Sequence, residues 1–311
     1  MGDASTPASQ PPLTVTHADR VVFPEVGTTK GEVVAYYEAI AVRALPHLEG
    51  RPLSIKRFPK GLSSPGFFQK NVPPHYPASI DRFVIPRTSA GVTIYPVVST
   101  PQHLVYLANQ GAIELHVPLG RVPEPHLPDR IVIDLDPPSG AVDLVRRSAF
   151  LVRDFLGDLG LTTVPIATGS KGYHVAGKIA EATTDLSTLL QKVAALLAAK
   201  HPEELTTAFR IAQRKGRVFV DWLRNRPNAT VVVPFSLRAR PRAPVAVPLD
   251  WSELDATAPD AFTIADRERL LERPDPLAVL APEAAASFVR NVDAVFERAG
   301  LKIEPFDRFR S

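Results

Sequence analysis

Apolar positions in this chain follow two periods. Val33, Val34, Tyr37, Ile40, Ala41 and Ala44 recur at helical spacing. Thr28 or Thr29 can cap that helix, which starts near Lys30 and stops at Pro46. A strand is predicted at 53–58, followed by a Pro/Gly/Ser loop carrying Phe67 and Phe68. Further strands are expected at 82–85 and 92–95, and a helix at 101–110 leads to a strand at 112–117. The second half has a clearer rhythm. Strands are predicted at 131–135, 162–167, 173–177, 218–221 and 230–233, and helices at 142–159, 186–200 and 284–299. Gly160 falls at the C′ position of the first of these helices. Strands alternating with helices indicate an α/β protein, but two closely spaced strand pairs argue against a purely doubly wound sheet. The 32 prolines lie mostly between elements and mark rigid turns. Residues 1–12 are small and polar and are expected to be disordered.

Composition narrows the chemistry. The 311 residues suit one large or two small domains, and 45% apolar content is ample for a core. The absence of cysteine excludes disulfides, cysteine zinc sites, iron–sulfur clusters and thiol catalysis. No run of 18 apolar residues occurs, and no basic start precedes an apolar stretch. Neither a membrane span nor a signal peptide is expected, which predicts a cytoplasmic protein. The net charge of +3 hides its distribution. Nine basic residues lie between Arg210 and Arg242 with a single acid, Asp221, among them, whereas acids outnumber bases from Leu249 onward. A concentrated basic segment suits a polyanion; a solvated, salt-bridged face is the plainer alternative.

Three short patterns could carry chemistry. Asp134-Leu135-Asp136 closes the apolar run Ile-Val-Ile. Side chains at i and i+2 of a strand share a face, so both carboxylates project together just before Pro137-Pro138 ends the pairing. Adjacent carboxylates repel unless a cation or proton is shared, and hard oxygen donors select Mg²⁺ or Mn²⁺. The same tripeptide occurs in phosphatases with an aspartyl nucleophile and in nucleotide-sugar transferases, and two surface aspartates are the plain alternative. Asp221 ends the strand Val218-Phe219-Val220 inside the basic segment. It suits a third metal carboxylate flanked by phosphate-holding cations, or a salt bridge to Arg217 or Arg224. Thr168-Gly169-Ser170-Lys171-Gly172-Tyr173-His174 joins two strands. Its glycines, hydroxyls and lysine suit phosphate oxygens, although the spacing is not that of a Walker A loop and, taken alone, the turn is better read as an ordinary hairpin.

Together, and in this order, the patterns resemble the archaeo-eukaryotic primase superfamily, specifically the polymerase domain of bacterial ATP-dependent DNA ligase D and its stand-alone relatives. The resemblance runs from about Leu13 to Pro276. It includes Phe67-Phe68-Gln69-Lys70-Asn71, Ala112-Ile113-Glu114-Leu115-His116, Pro128-Asp129-Arg130, Gly216-Arg217-Val218-Phe219-Val220-Asp221-Trp222 and Pro234-Phe235-Ser236-Leu237-Arg238-Ala239-Arg240-Pro241.

The resemblance implies a primase-polymerase fold of mixed central sheets flanked by helices, with an RRM-like catalytic core. It implies one domain over 13–311: a DNA-end and template-binding subregion at 13–125, the catalytic core at 126–276 and a helical extension at 277–311. It implies a template-directed nucleotidyltransferase that adds nucleotides to a 3′ end in bacterial break or excision repair. Asp134, Asp136 and Asp221 would hold two Mn²⁺ or Mg²⁺ ions. Lys56, His116, Thr168, Ser170, Lys171, Arg214 and Arg238 would hold the nucleoside triphosphate. Phe67 and Phe68 would stack on the template, and His17, Arg20 and Lys30 would bind the 5′-phosphate of gapped DNA. The family usually has Asn and Lys where this chain has His17 and Arg20, and Tyr where it has Phe235. His174 is expected to pack behind the loop, and Arg224 lies at a position that varies among relatives. No Lys-x-Asp-Gly nucleotidyl-lysine motif occurs, so a DNA ligase, and a DNA-end-binding protein with it, would be supplied in trans. A non-catalytic DNA-end-binding module that recruits a ligase is the alternative from another class; a hydrolase with Asp134 as nucleophile is a third.

Overall fold

In the computed structural model, which describes residues 14–87 and 90–303, two sheets carry the molecule. The tail at 1–12, Leu13 and the end of the C-terminal extension lie outside the described residues. The first half comprises β1 (Val21–Phe23), β2 (Thr28–Thr29), α1 (Lys30–Leu48), β3 (Ser54–Arg57), β4 (Phe67–Gln69), β5 (Asp81–Pro86), β6 (Val92–Val97), α2 (Pro101–Asn109) and β7 (Ala112–Val117). The second half continues with β8 (Arg130–Asp136), α3 (Val142–Asp158), β9 (Thr163–Ala167), β10 (Tyr173–Ala180), α4 (Ser187–Lys200), β11 (Leu205–Thr206), α5 (Ile211–Arg214), β12 (Val218–Asp221), β13 (Val231–Val232) and β14 (Val247–Pro248). It ends with α6 (Arg267–Glu272), α7 (Pro276–Val279), β15 (Glu283–Ala284) and α8 (Ala285–Ala299).

The larger sheet runs β11-β12-β8-β10-β9-β14, with β15 added beside β10. A second sheet runs β13-β7-β3-β4, and β1-β2 and β5-β6 form separate ribbons. Antiparallel and parallel pairs coexist in the larger sheet, as the closely spaced strand pairs predict. Its two faces are written in β8. Ile131, Ile133 and Leu135 enter the main core, into which α3 and α4 also pack, whereas Val132 joins a small cluster with Val164, Ile166 and Ala176 on the opposite face. Strand alternation places Asp134 and Asp136 on that second face, away from the helices.

Helix boundaries follow local chemistry. Thr29 caps α1 in a full capping box with Glu32. Helix α1 runs past Pro46 to Leu48, beyond its expected end. The lost N–H falls in the last turn, and burial of His47 and Leu48 holds that turn in place. Gly160 and Gly300 sit at φ +84 and +63 just past α3 and α8. Phe67 and Phe68, expected in a loop, instead form β4 by pairing with β3. Among the described residues, no helix is long and apolar enough to cross a membrane.

Candidate active site

Three neighbouring strands bring the acids together. In the antiparallel register, Asp221 of β12 lies opposite Asp134 of β8, which lies opposite His174 of β10. Asp136 follows two residues along the same face. One oxygen from each of Asp134, Asp136 and Asp221 lies within 4.8 Å of the others. Asp134 and Asp221 are buried, and Asp136 is half-buried. Burial pushes the Asp134 carboxyl up, but the facing His174 ring and Arg224 guanidinium outweigh it and hold the group well below the usual carboxylate range. Asp221 behaves oppositely: burial and the neighbouring Asp134 push it up to about 6. Three crowded carboxylates form an all-oxygen donor set that fits Mg²⁺ or Mn²⁺.

A cavity of about 200 Å³ opens beside this trio. Its lining includes His116, Asp134, Asp136, Thr168, Ser170, Lys171, His174, Arg224, Arg238 and Arg240. The β9–β10 turn supplies Ser170 and Lys171, and Lys171 Nζ lies 3.5 Å from Asp136 Oδ1. Thr168 is committed to the turn itself: its hydroxyl donates to the Gly172 carbonyl at 2.6 Å. Arg238 Nη1 donates to the Thr168 carbonyl at 2.6 Å, and Arg240 Nη2 lies 3.3 Å from Ser170 Oγ. His174, expected to pack behind the loop, lines the cavity, with its Nε2 3.6 Å from Asp134 Oδ1 and its buried Nδ1 without a hydrogen-bond partner. The strand register that sets it beside Asp134 is not visible in a turn motif.

Two expected nucleotide residues do not line this cavity. Arg214 donates to the Ala208 and Phe209 carbonyls, and its guanidinium stacks 4.2 Å from the Phe219 ring centroid. Lys56 sits on β3 opposite Glu114, with Nζ 3.4 Å from the Glu114 carboxylate and over the Phe58 and Phe68 rings. Glu114, to which sequence reasoning assigned no role, is the hub of this region. It is 3% exposed and accepts from His116 Nε2 at 2.9 Å, Arg238 Nε at 3.2 Å and the Ala239 N–H at 3.0 Å. Burial pushes Glu114 up, but His116 and Arg238 hold it well below the carboxylate range. Burial lowers His116 below the ordinary histidine value, against the pull of Glu114. The His116 ring meets Phe68 edge-on at 5.4 Å. Phe67 and Phe68 are 49% and 56% exposed, so neither ring is buried in the core.

His17, Arg20 and Lys30 share a second cavity of about 190 Å³ with Thr16, Phe58 and Asn109. Lys30 Nζ donates to the Thr16 carbonyl and hydroxyl, and Arg20 Nη1 donates to the Pro59 carbonyl. Burial and the nearby Arg20 lower the Lys30 pKa. Two cations held this close suit an anion.

Comparison with known proteins places this geometry. The family described as LigD, primase-polymerase domain, matches residues 29–277. The multifunctional non-homologous end joining protein LigD of Mycobacterium bovis is 37% identical over 262 residues, which cover 81% of this chain and 34% of that protein. The bifunctional non-homologous end joining protein LigD of Bacillus subtilis is 32% identical over 259 residues, 82% of this chain and 41% of that protein. The chain therefore spans less than half the length of these curated relatives. A solved structure, the polymerase domain from Mycobacterium tuberculosis Ligase D in complex with DNA, superposes with a TM-score of 0.77 at 34% identity, covering 85% of this chain and 99% of that one. The mixed α/β fold is thus the expected one, and since the match takes in both acid-bearing strands and the turn between them, the chain belongs to the LigD primase-polymerase domain family.

Proposed function

We propose that this chain is a template-directed nucleotidyltransferase that fills gaps and extends 3′ ends in DNA break or excision repair. The observation that carries this reading is the convergence of Asp134, Asp136 and Asp221 beside a cavity rimmed by Ser170, Lys171, Arg238 and Arg240. The three aspartates would hold two divalent ions, Mn²⁺ or Mg²⁺. Such ions stabilise charge on the attacking and leaving oxygens of phosphoryl transfer. The primer 3′-hydroxyl attacks the α-phosphorus of a ribo- or deoxyribonucleoside triphosphate, and pyrophosphate leaves. Lys171, Arg238 and Arg240 neutralise the triphosphate, Ser170 donates to it, and His116 flanks it from the second sheet. This is catalysis by positioning and charge rather than by covalent intermediates.

The exposed Phe67 and Phe68 offer a surface on which a template base of any sequence can stack. The His17, Arg20 and Lys30 cavity takes the 5′-phosphate across a gap. The relatives are named for non-homologous end joining, so this chain would act with a DNA ligase and a DNA-end-binding protein. Primer extension on one-nucleotide-gapped DNA with Mn²⁺ tests the reading. Asp134→Ala and Asp221→Ala should each abolish extension while DNA binding persists. Extension retained by either variant overturns the assignment.

A further inference from the structure

Arg224 sits where the acids need a cation. Each carboxylate that faces it has one oxygen already engaged. Asp134 Oδ1 faces His174 Nε2 at 3.6 Å, and Asp221 Oδ1 accepts the Leu223 N–H at 2.8 Å. The remaining oxygens converge on one atom: Arg224 Nε lies 3.0 Å from Asp134 Oδ2 and 3.5 Å from Asp221 Oδ2. A divalent ion bridging these two strands would compete for the same pair of oxygens. The backbone beneath is fixed, because Asn225 donates to the Val132 and Trp222 carbonyls and accepts the Val132 N–H. The side chain has open space beside it: it is 42% exposed and lies on the wall of the cavity that holds Ser170, Lys171 and Arg238.

We propose that Arg224 is a displaceable counter-cation. It neutralises Asp134 and Asp221 while no metal is bound, and it exchanges those carboxylates for phosphate oxygens when metal and nucleotide arrive. The inference rests on the reading of the three aspartates as a metal cage. The physical case is competition for one seat. A guanidinium at 3.0–3.5 Å already satisfies both free oxygens, and an ion of twice its charge cannot occupy that position until it leaves. A long, always-charged side chain gives up a carboxylate readily when a phosphate lies within reach, since both match its fork of donors. Metal and nucleotide binding are thereby coupled through one residue, and such coupling is reciprocal. Arg224 thus links occupancy of the metal cage to occupancy of the nucleotide site.

Titration of the protein with Mn²⁺ alone, without nucleotide or DNA, tests this by calorimetry or by the electron paramagnetic signal of free Mn²⁺. Arg224→Gln should bind Mn²⁺ about tenfold more tightly than the wild type, within the usual range of coupling between sites. The same variant should show a raised KM for the nucleotide with kcat nearly unchanged, a split that simple loss of fold would not produce. Arg224→Lys keeps a cation without the Nε between the two oxygens and should move Mn²⁺ affinity the same way by less, which preserves the test if the glutamine variant folds poorly. Unchanged or weaker Mn²⁺ binding by both variants overturns the inference while leaving the cage intact. Failure of the wild type to bind Mn²⁺ at all overturns the reading of the aspartates, and this inference with it.

Discussion

Asp221 carries the tension of the metal-free site in a single carboxyl. Its folded pKa of about 6 stands above the ordinary 3.8. The folded state therefore holds this proton more tightly than the unfolded chain, and stability is lost as pH climbs through that window. Complete ionisation costs roughly 2–3 kcal/mol. Asp221→Asn should accordingly melt higher than the wild type in metal-free buffer at pH 8, with the advantage vanishing near pH 4. Saturating Mn²⁺ should reverse the order, because only the wild type keeps the full ligand set. Scanning calorimetry with and without Mn²⁺ checks both signs. Glu114 makes the opposite case. Glu114→Ala leaves a ring N–H, a guanidinium and a backbone N–H without their buried acceptor, and should cost about 3–5 kcal/mol in equilibrium denaturation; Glu114→Gln should cost less and still raise the nucleotide KM. The two residues also differ in how far the sequence reveals them. Asp134 and Asp136 announce themselves by their i, i+2 spacing at a strand end, and Asp221 by its isolation among cations. A lone glutamate in Ala-Ile-Glu-Leu-His says nothing until the β3–β7 register sets it against Lys56 and the chain returns with Arg238.

At the level of elements, the β9–β10 hairpin is what aims the phosphate-type turn at the acid strand. Gly172 makes that approach possible. A Cβ on it would lie 1.9 Å from the carbonyl oxygen of Leu135, the residue between Asp134 and Asp136, and the obstacle is backbone. Gly172→Ala should therefore push β8 and β10 apart at the site. The expected result is a loss of at least about 1–3 kcal/mol, the usual overpacking cost, with Mn²⁺ affinity falling alongside. Gly140 is the matched control, with φ +76 and nothing within 4 Å of its would-be Cβ. Gly140→Ala should cost only left-handed strain, about 1–2 kcal/mol, and leave Mn²⁺ binding alone. Long elements such as α1, α3 and β8 are legible because several positions repeat a period or an unbroken apolar run meets a stop. Strand β13 lies within the apolar run expected as a strand at 230–233, but the two-residue strands β2, β11, β14 and β15 are too short to show a period of two. They exist because a neighbouring strand offers partners, which is tertiary information. The same holds for β4, where exposed Phe67 and Phe68 give no burial pattern and only pairing with β3 makes a strand.

At the scale of the whole molecule, the cations expected to hold phosphate groups line separate cavities, and which cations reach which cavity was not legible from charge alone. The basic segment reads as one field in sequence. In the structure Arg238 and Arg240 turn into the cavity beside the three aspartates, whereas Arg214 is spent on carbonyls and the Phe219 ring. The chain reversal around residue 243, where Leu237 bridges to Val245 and Ala243 takes φ +51, sets that difference. Arg20 and Lys30, separated from this segment by most of the chain, build the other cavity. If that cavity takes a terminal phosphate, its contribution must appear as a salt-dependent difference between two otherwise identical DNAs. Each neutralised phosphate adds about 0.9 to the slope of log affinity against log salt. Gapped DNA with a 5′-phosphate should therefore bind more tightly than its 5′-hydroxyl twin, with a slope steeper by about one unit or more. Arg20→Ala should flatten the phosphorylated DNA's slope towards that of the hydroxyl form and leave the hydroxyl form nearly unmoved. Lys30 is the poorer choice for this measurement, because its ammonium also ties down Thr16 and its removal would disturb the segment that carries His17. Equal slopes for the two DNAs with the wild-type protein would place the phosphate elsewhere and leave the Arg20–Lys30 pair as a structural clamp.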